Sequence, residues 1–174
     1  MEYTNEMRIT MISNEAANNA KAVIKNVLNS KDYNSGYSFN ATEQLLEALE
    51  VKNNTLSLDG NDGYFVPQDA QEIFEEIVKA LAFCGLIEFK AYNYSTYSES
   101  SLEAEFHNDH MEVESIYYPC GYCEYLECPE CGEFVVRIDE YDPNATYYCP
   151  ECGEEIDLSK QYEEVVPEIK KYRL

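Results

Sequence analysis

Tryptophan is absent from this 174-residue chain and positive charge is scarce: 12 lysines and arginines stand against 34 aspartates and glutamates, a net charge of −22. Such a surface is repelled by nucleic acid phosphates and by anionic membranes, which argues against both as direct partners. No apolar run approaches the ~20 residues needed to cross a bilayer. The opening residues, Met1 to Glu6, have neither the basic n-region nor the apolar h-region of a signal peptide, so a cytoplasmic location is expected. Catalytic motifs are missing too: there is no phosphate-binding glycine loop, no Gly-x-Ser-x-Gly elbow and no His-Glu-x-x-His pair. Carboxylate pairs carry no information in so acidic a chain, and a protein that is not an enzyme is expected.

The apolar share of 45% is that of a globular protein, and 16 tyrosines supply most of the aromatic surface. The acidity is regional. Residues 1–90 carry 14 acidic and 7 basic side chains, residues 91–174 carry 20 and 5, and between Lys90 and Lys160 the one basic residue is Arg137.

Hydrophobic periodicity divides the chain into an α+β domain over 1–118, a cysteine-rich domain over 119–158 and a C-terminal tail over 159–174. A β-prone run at Arg8–Ile12 is followed by Ser13 or Asn14 as a cap. Ala16, Ala17, Ala20, Val23, Ile24, Val27 and Leu28 then repeat at helical spacing. Asn40 and Glu43 fit a capping box ahead of a shorter helix with Leu45, Leu46 and Leu49. Thr55–Leu58 is a brief strand candidate. Pro67 opens the clearest helix, whose apolar face is Ala70, Ile73, Phe74, Ile77, Val78 and Leu81; Gly85 ends it, and Cys84 in its last turn reads as a small buried hydrophobe. Strands follow at Leu86–Tyr92, Leu102–His107 and Met111–Ile116. The last two form a hairpin whose outward face is Glu103, Glu105, Glu112 and Glu114. Two or three helices on one face of an antiparallel sheet, in a ferredoxin-like arrangement, satisfy this pattern.

The cysteines carry the strongest signal. Cys128-Pro-Glu-Cys131-Gly132 and Cys149-Pro-Glu-Cys152-Gly153 are two copies of one five-residue unit at the spacing of a four-cysteine zinc site. Two residues between thiolates let a tight turn aim both sulfurs at one metal ~2.3 Å away, and the glycines permit positive φ where the chain leaves the turn. Over about residues 120–157 the pattern resembles zinc ribbons built from rubredoxin-type knuckles. That resemblance implies structural zinc as the default occupant, with iron the alternative. It says little about function, since such ribbons occur in transcription and translation factors, topoisomerase tails, enzymes and phage proteins.

Cys120 and Cys123 form a third pair that reads as a redox dithiol, as half of a second metal site, or as alternative partners for one knuckle. Sharing a metal with His107 and His110 is disfavoured: a strand running from His110 carries Cys120 roughly 25–30 Å from the hairpin turn.

Acid and tyrosine interleave from Tyr92 to Asp157, which suggests an interaction protein that occupies a basic, nucleic-acid-binding surface on another protein. Glu103, Glu105, Glu112, Glu114, Glu124, Glu127, Tyr92 and Tyr94 are the candidate contact residues. In composition and size the chain resembles phage or mobile-element inhibitors of host defence nucleases, the anti-restriction and anti-CRISPR proteins among them. The alternatives are a zinc-ribbon adaptor in a transcription or translation assembly and a thiol redox or metal-handling protein that uses Cys120 and Cys123.

Overall fold

The computed structural model describes residues 4–30, 41–60, 67–94, 98–120 and 124–174. Asn40 of the expected capping box and Cys123 of the third cysteine pair lie outside these.

The first 118 residues run β1 (Thr4–Met11), α1 (Asn14–Ser30), α2 (Ala41–Ala48), β2 (Glu50–Lys52), β3 (Thr55–Gly60), α3 (Pro67–Ala82), β4 (Leu86–Tyr94), β5 (Glu99–His107) and β6 (His110–Tyr118). Ser13 caps α1, its hydroxyl accepting from the Ala16 amide at 3.1 Å. In α3 the residues at helical spacing, Ala70, Ile73, Phe74, Ile77, Val78 and Leu81, are all buried, so the apolar stripe faces the core as its period dictates. Phe74 meets Phe89 of β4 with ring centroids 6.2 Å apart.

The strands β4, β1, β3 and β2 lie side by side in that order, and every neighbouring pair is antiparallel. With α1 between β1 and β2 and α3 between β3 and β4, this is the split β-α-β arrangement of ferredoxin-like folds. The sheet continues past β4 through β5 and β6. Alternation sends Met7, Ile9, Leu56, Leu58, Phe89, Leu102, Ala104, Met111 and Val113 into the core beneath the helices, leaving the opposite face open.

The second half departs from expectation at its end. After β6 come four short strands, β7 (Tyr125–Glu127), β8 (Phe134–Arg137), β9 (Tyr147–Tyr148) and β10 (Glu155–Ile156), then α4 (Ser159–Val165) and β11 (Glu168–Arg173). Residues 168–173, expected as part of a tail, are the edge strand of the main sheet and pair antiparallel with β6, Glu168 opposite Tyr117 and Arg173 opposite Glu112. The cysteine-rich segment therefore leaves the sheet from one strand and returns to its neighbour.

Cys84 is exposed rather than buried, its thiol donating to the Ala80 carbonyl at 3.3 Å. It lies past the end of α3, where the chain is turning away from the core. Gly85 completes that turn at φ +88°, and a β-carbon there would come 2.6 Å from Cγ2 of Ile12. Gly85→Ala is expected to destabilise the protein by ~1–3 kcal/mol through left-handed strain and this clash, read as a lowered midpoint in urea.

Candidate metal centre

Each cysteine pair sits on a knuckle built the same way. In the first, the Gly132 amide donates to the Cys128 carbonyl (2.8 Å) and the Cys128 amide to the Glu133 carbonyl (2.8 Å). In the second, Gly153 donates to Cys149 (2.9 Å) and Cys149 to Glu154 (3.0 Å). Gly132 and Gly153 take φ of +75° and +71°, the conformation expected of them. The first knuckle is carried by the antiparallel pair β7–β8, the second by β9–β10.

The two knuckles bring Cys128, Cys131, Cys149 and Cys152 together with all four sulfurs within 4.8 Å of one another, and the Cys131 and Cys149 sulfurs are 3.5 Å apart. Four thiolates around a tetrahedral zinc at ~2.3 Å would stand ~3.8 Å apart, so the cluster has the dimensions of such a site. The Cys152 amide points at the Cys149 sulfur from 3.3 Å and is the main cause of a Cys149 pKa lowered to about 7. The Cys152 thiol is pushed up to about 12, first by its hydrogen bond with Cys131. Four sulfurs this close cannot all be charged unless a cation stands among them. Donor type, number and spacing together fit zinc.

Cys128 and Cys149 are buried and Cys131 and Cys152 exposed, an arrangement that places one sulfur of each knuckle inward. Around them the lobe has little apolar interior: Leu126 and Leu158 are its other buried apolar residues among those described. Helix α4 closes the lobe, with Tyr162 stacked on Tyr141 at 4.3 Å and the Gln161 side chain accepting from the Glu127 amide at 2.7 Å. Neither contact was foreseen from the sequence, because each joins a side chain to a partner at least 20 residues away.

Cys120 is disulfide-bonded, whereas Cys84 and the four clustered cysteines are free. Strand β6 runs unbroken from His110 to Tyr118, which puts His107 and His110 at one end and Cys120 beyond the other. A metal shared between them has no support in this geometry.

The acidic candidates fall into two groups. Glu103 lies opposite Glu114 and Glu105 opposite Glu112 on the open face of the sheet, with Glu88 across from Glu105. Like charges directly opposite repel, and basic residues on the flanking strands offset this. Lys171 on β11 pairs with Glu114, Arg173 with Glu112 (3.4 Å), and Lys90 on β4 with Glu88 (2.9 Å). Together these residues line an open concavity of about 560 Å³. The clue in the sequence was the alternation Ile169, Lys171, Arg173, which places both bases on one face of a strand. Tyr92 and Tyr94 lie on β4 with rings 5.5 Å apart, and the Tyr92 hydroxyl donates to Glu99 at 2.6 Å.

The second group is on the cysteine lobe. Residues 124–168 hold 14 acids and 2 bases, Arg137 and Lys160. Arg137 is engaged by Asp139 at 3.0 Å. Glu124, Glu127, Glu130, Glu133, Glu151, Glu154 and Glu155 are all exposed around the knuckles. Tyr125 and Phe134 stack at 4.9 Å on this lobe and remain exposed, by 37% and 56%. Among the described residues, no helix is long and apolar enough to cross a membrane.

No family model, curated protein or solved structure matches the chain.

Proposed function

We propose that the protein is a non-enzymatic interaction protein whose zinc-stapled lobe docks on a basic surface of another protein, a surface of the kind that otherwise holds nucleic acid. The observation that carries this is where charge is left uncompensated. On the sheet, the four hairpin glutamates are flanked by Lys90, Lys171 and Arg173. On the lobe, 14 acids face 2 bases, and four thiolates around a zinc would add two further negative charges. The candidate contact set therefore centres on Glu124, Glu127 and the other knuckle glutamates more than on Glu103, Glu105, Glu112 and Glu114. Tyr125 and Phe134 supply an exposed aromatic pair on which an arginine of the partner would stack.

Four thiolates complete the coordination of a zinc and leave no position for water, which supports a structural and not a hydrolytic metal. Occupation of a nucleic-acid site by a small acidic protein is the action of an inhibitor, and a phage-borne inhibitor of a defence nuclease, restriction or CRISPR, is the form we favour. A ribbon adaptor in a transcription or translation assembly is the second reading; the exposed Tyr125–Phe134 pair would serve as its docking contact equally well.

Purified basic nucleic-acid-binding proteins, nucleases among them, and lysozyme as a basic control, provide the test by biolayer interferometry. A cognate partner is expected to bind at least tenfold tighter than lysozyme, to lose affinity steeply with salt and to be displaced by duplex DNA or RNA. Glu130→Lys/Glu151→Lys/Glu154→Lys should weaken it at least tenfold with zinc content unchanged. Direct binding of the protein to DNA, or equal loss on reversing Glu103 and Glu105 alone, would refute the assignment to the lobe.

A further inference from the structure

The chain has two histidines, and the fold puts both at the tip of one hairpin. His107 ends β5 and His110 begins β6; they face each other across the Asn108-Asp109 turn, and Glu105 opposite Glu112 is the next pair on the same face, beyond Phe106 and Met111. All four belong to the open face of the sheet. The cluster lies on the sheet, outside the cysteine lobe on which the proposed docking surface is centred.

Both ring nitrogens of His110 meet carboxylates. Nδ1 lies 2.9 Å from Oδ1 of Asp109, and Nε2 lies 3.2 Å from Oε1 of Glu112. No neutral tautomer satisfies both, because an imidazole with one N–H turns a lone pair toward the second carboxylate. A cation must therefore be held at one nitrogen, either a proton or a metal ion. His107 converges on the same place: its Nε2 is 4.0 Å from Oε2 of Glu112 and 3.6 Å from Oε2 of Glu105. Ligands at ~2.0–2.2 Å from one metal stand ~3.0–3.5 Å apart, close to the separations already present. As they stand, no three of these side chains have ligand atoms all within 4.8 Å of one another, as the cysteine sulfurs do, so binding needs side-chain rotation. They are exposed, His107 by 45% and Glu105 by 66%, so rotation to close the set meets little resistance.

We propose that His107, His110, Glu112 and Glu105 bind one divalent transition-metal ion, of the zinc class, at the hairpin tip. Asp109 is the orienting partner: by accepting from Nδ1 it fixes the tautomer and presents Nε2 to the metal, the arrangement of carboxylate–histidine–metal triads. Imidazole and carboxylate together select zinc-like ions over calcium or magnesium. Arg173 opposes binding, since its guanidinium competes for Oε1 of Glu112 from 3.4 Å.

The test uses the full chain with its cysteine centre already loaded with one zinc, titrated with Zn²⁺ alone at neutral pH. Bound zinc is read per chain, and the two histidines are read by long-range proton–nitrogen spectra. Bound zinc should rise from one to two per chain while Nε2 of both histidines moves to metal-bound positions. His107→Ala/His110→Ala should abolish the second equivalent and leave the amide resonances of β1, β4 and α3 in place, which shows that the sheet carrying the hairpin is folded. Asp109→Asn should weaken the second site ~10-fold or more, and Arg173→Gln should tighten it. A single zinc per chain with unmoved histidines would overturn the proposal, as would a second zinc that survives loss of both histidines.

Discussion

Serine at Cys128 and Cys149 is expected to unfold the lobe from about 124 to 158 and leave the seven-stranded sheet intact. Amide resonances of the lobe should collapse into the disordered range while those of β1, β3, β4 and α3 keep their positions, and a strong chelator should reproduce the effect on the native chain. The lobe has two buried leucines, Leu126 and Leu158, and its other buried apolar residues are the ligands Cys128 and Cys149 themselves. Burying two leucines contributes ~3–6 kcal/mol. A structural zinc bound by the four cysteines would contribute ~10–16 kcal/mol at neutral pH, and would then outweigh the leucines in holding the lobe together. The sheet draws on a separate core beneath α1 and α3, to which no residue of 124–158 belongs.

Strand β11 should stay paired in that variant. Its register with β6 pins Glu168 against Tyr117, so the unfolded lobe becomes a closed loop hung from two adjacent strands. Loop closure grows only as the logarithm of length, ~0.6 kcal/mol per doubling, which is too little to strip the strand away. Persistence of the Lys170–Arg173 resonances in the serine variant would support this. Retention of a dispersed lobe would show that zinc is not what holds it.

How much of this was legible in the sequence follows from how local each signal is. The knuckles were readable because ligand, proline and glycine recur within five residues, and the turn they dictate needs no distant partner. Helix α3 and the β5–β6 hairpin were readable for the same reason: period and turn lie within one contiguous stretch. Strand β11 was not, because Glu168–Arg173 has charges on both faces and becomes a strand only by pairing with a segment some 50 residues earlier. The acidic face of the hairpin was placed correctly, yet its partners Lys171 and Arg173 were hidden by the same distance. Cys84 misled in a different way: the apolar run around it continued past the last turn of α3, but the chain had already turned outward at Phe83, which is 88% exposed.

Deleting residues 168–174 is expected to lower stability by ~3–6 kcal/mol, or roughly 10–20 °C in midpoint for a chain of this size. Tyr172 and Leu174 pack against the main core, and their loss exposes apolar area on β6 and α3. Two backbone bonds between Met111 and Leu174, at 2.9 and 3.0 Å, go with them. Glu75 on α3 is 9% exposed and held by Lys170 at 3.1 Å; without that lysine a nearly buried carboxylate faces the core edge unpaired. Glu112 and Glu114 lose Arg173 and Lys171 at the same time, so repulsion across the hairpin increases. The newly opened edge of β6 is studded with these two glutamates, and charge on an edge strand blocks pairing between molecules. The truncated chain should therefore remain monomeric at low salt and self-associate as salt screens the carboxylates, measured by light scattering. Lys171→Glu/Arg173→Glu separates the causes: backbone pairing and the Tyr172 contact remain, and the loss should shrink to ~1 kcal/mol because these pairs are exposed. An unchanged midpoint in the truncated chain would mean that β11 only decorates the sheet; a full loss in the charge variant would mean that the ion pairs, not the strand, secure this edge.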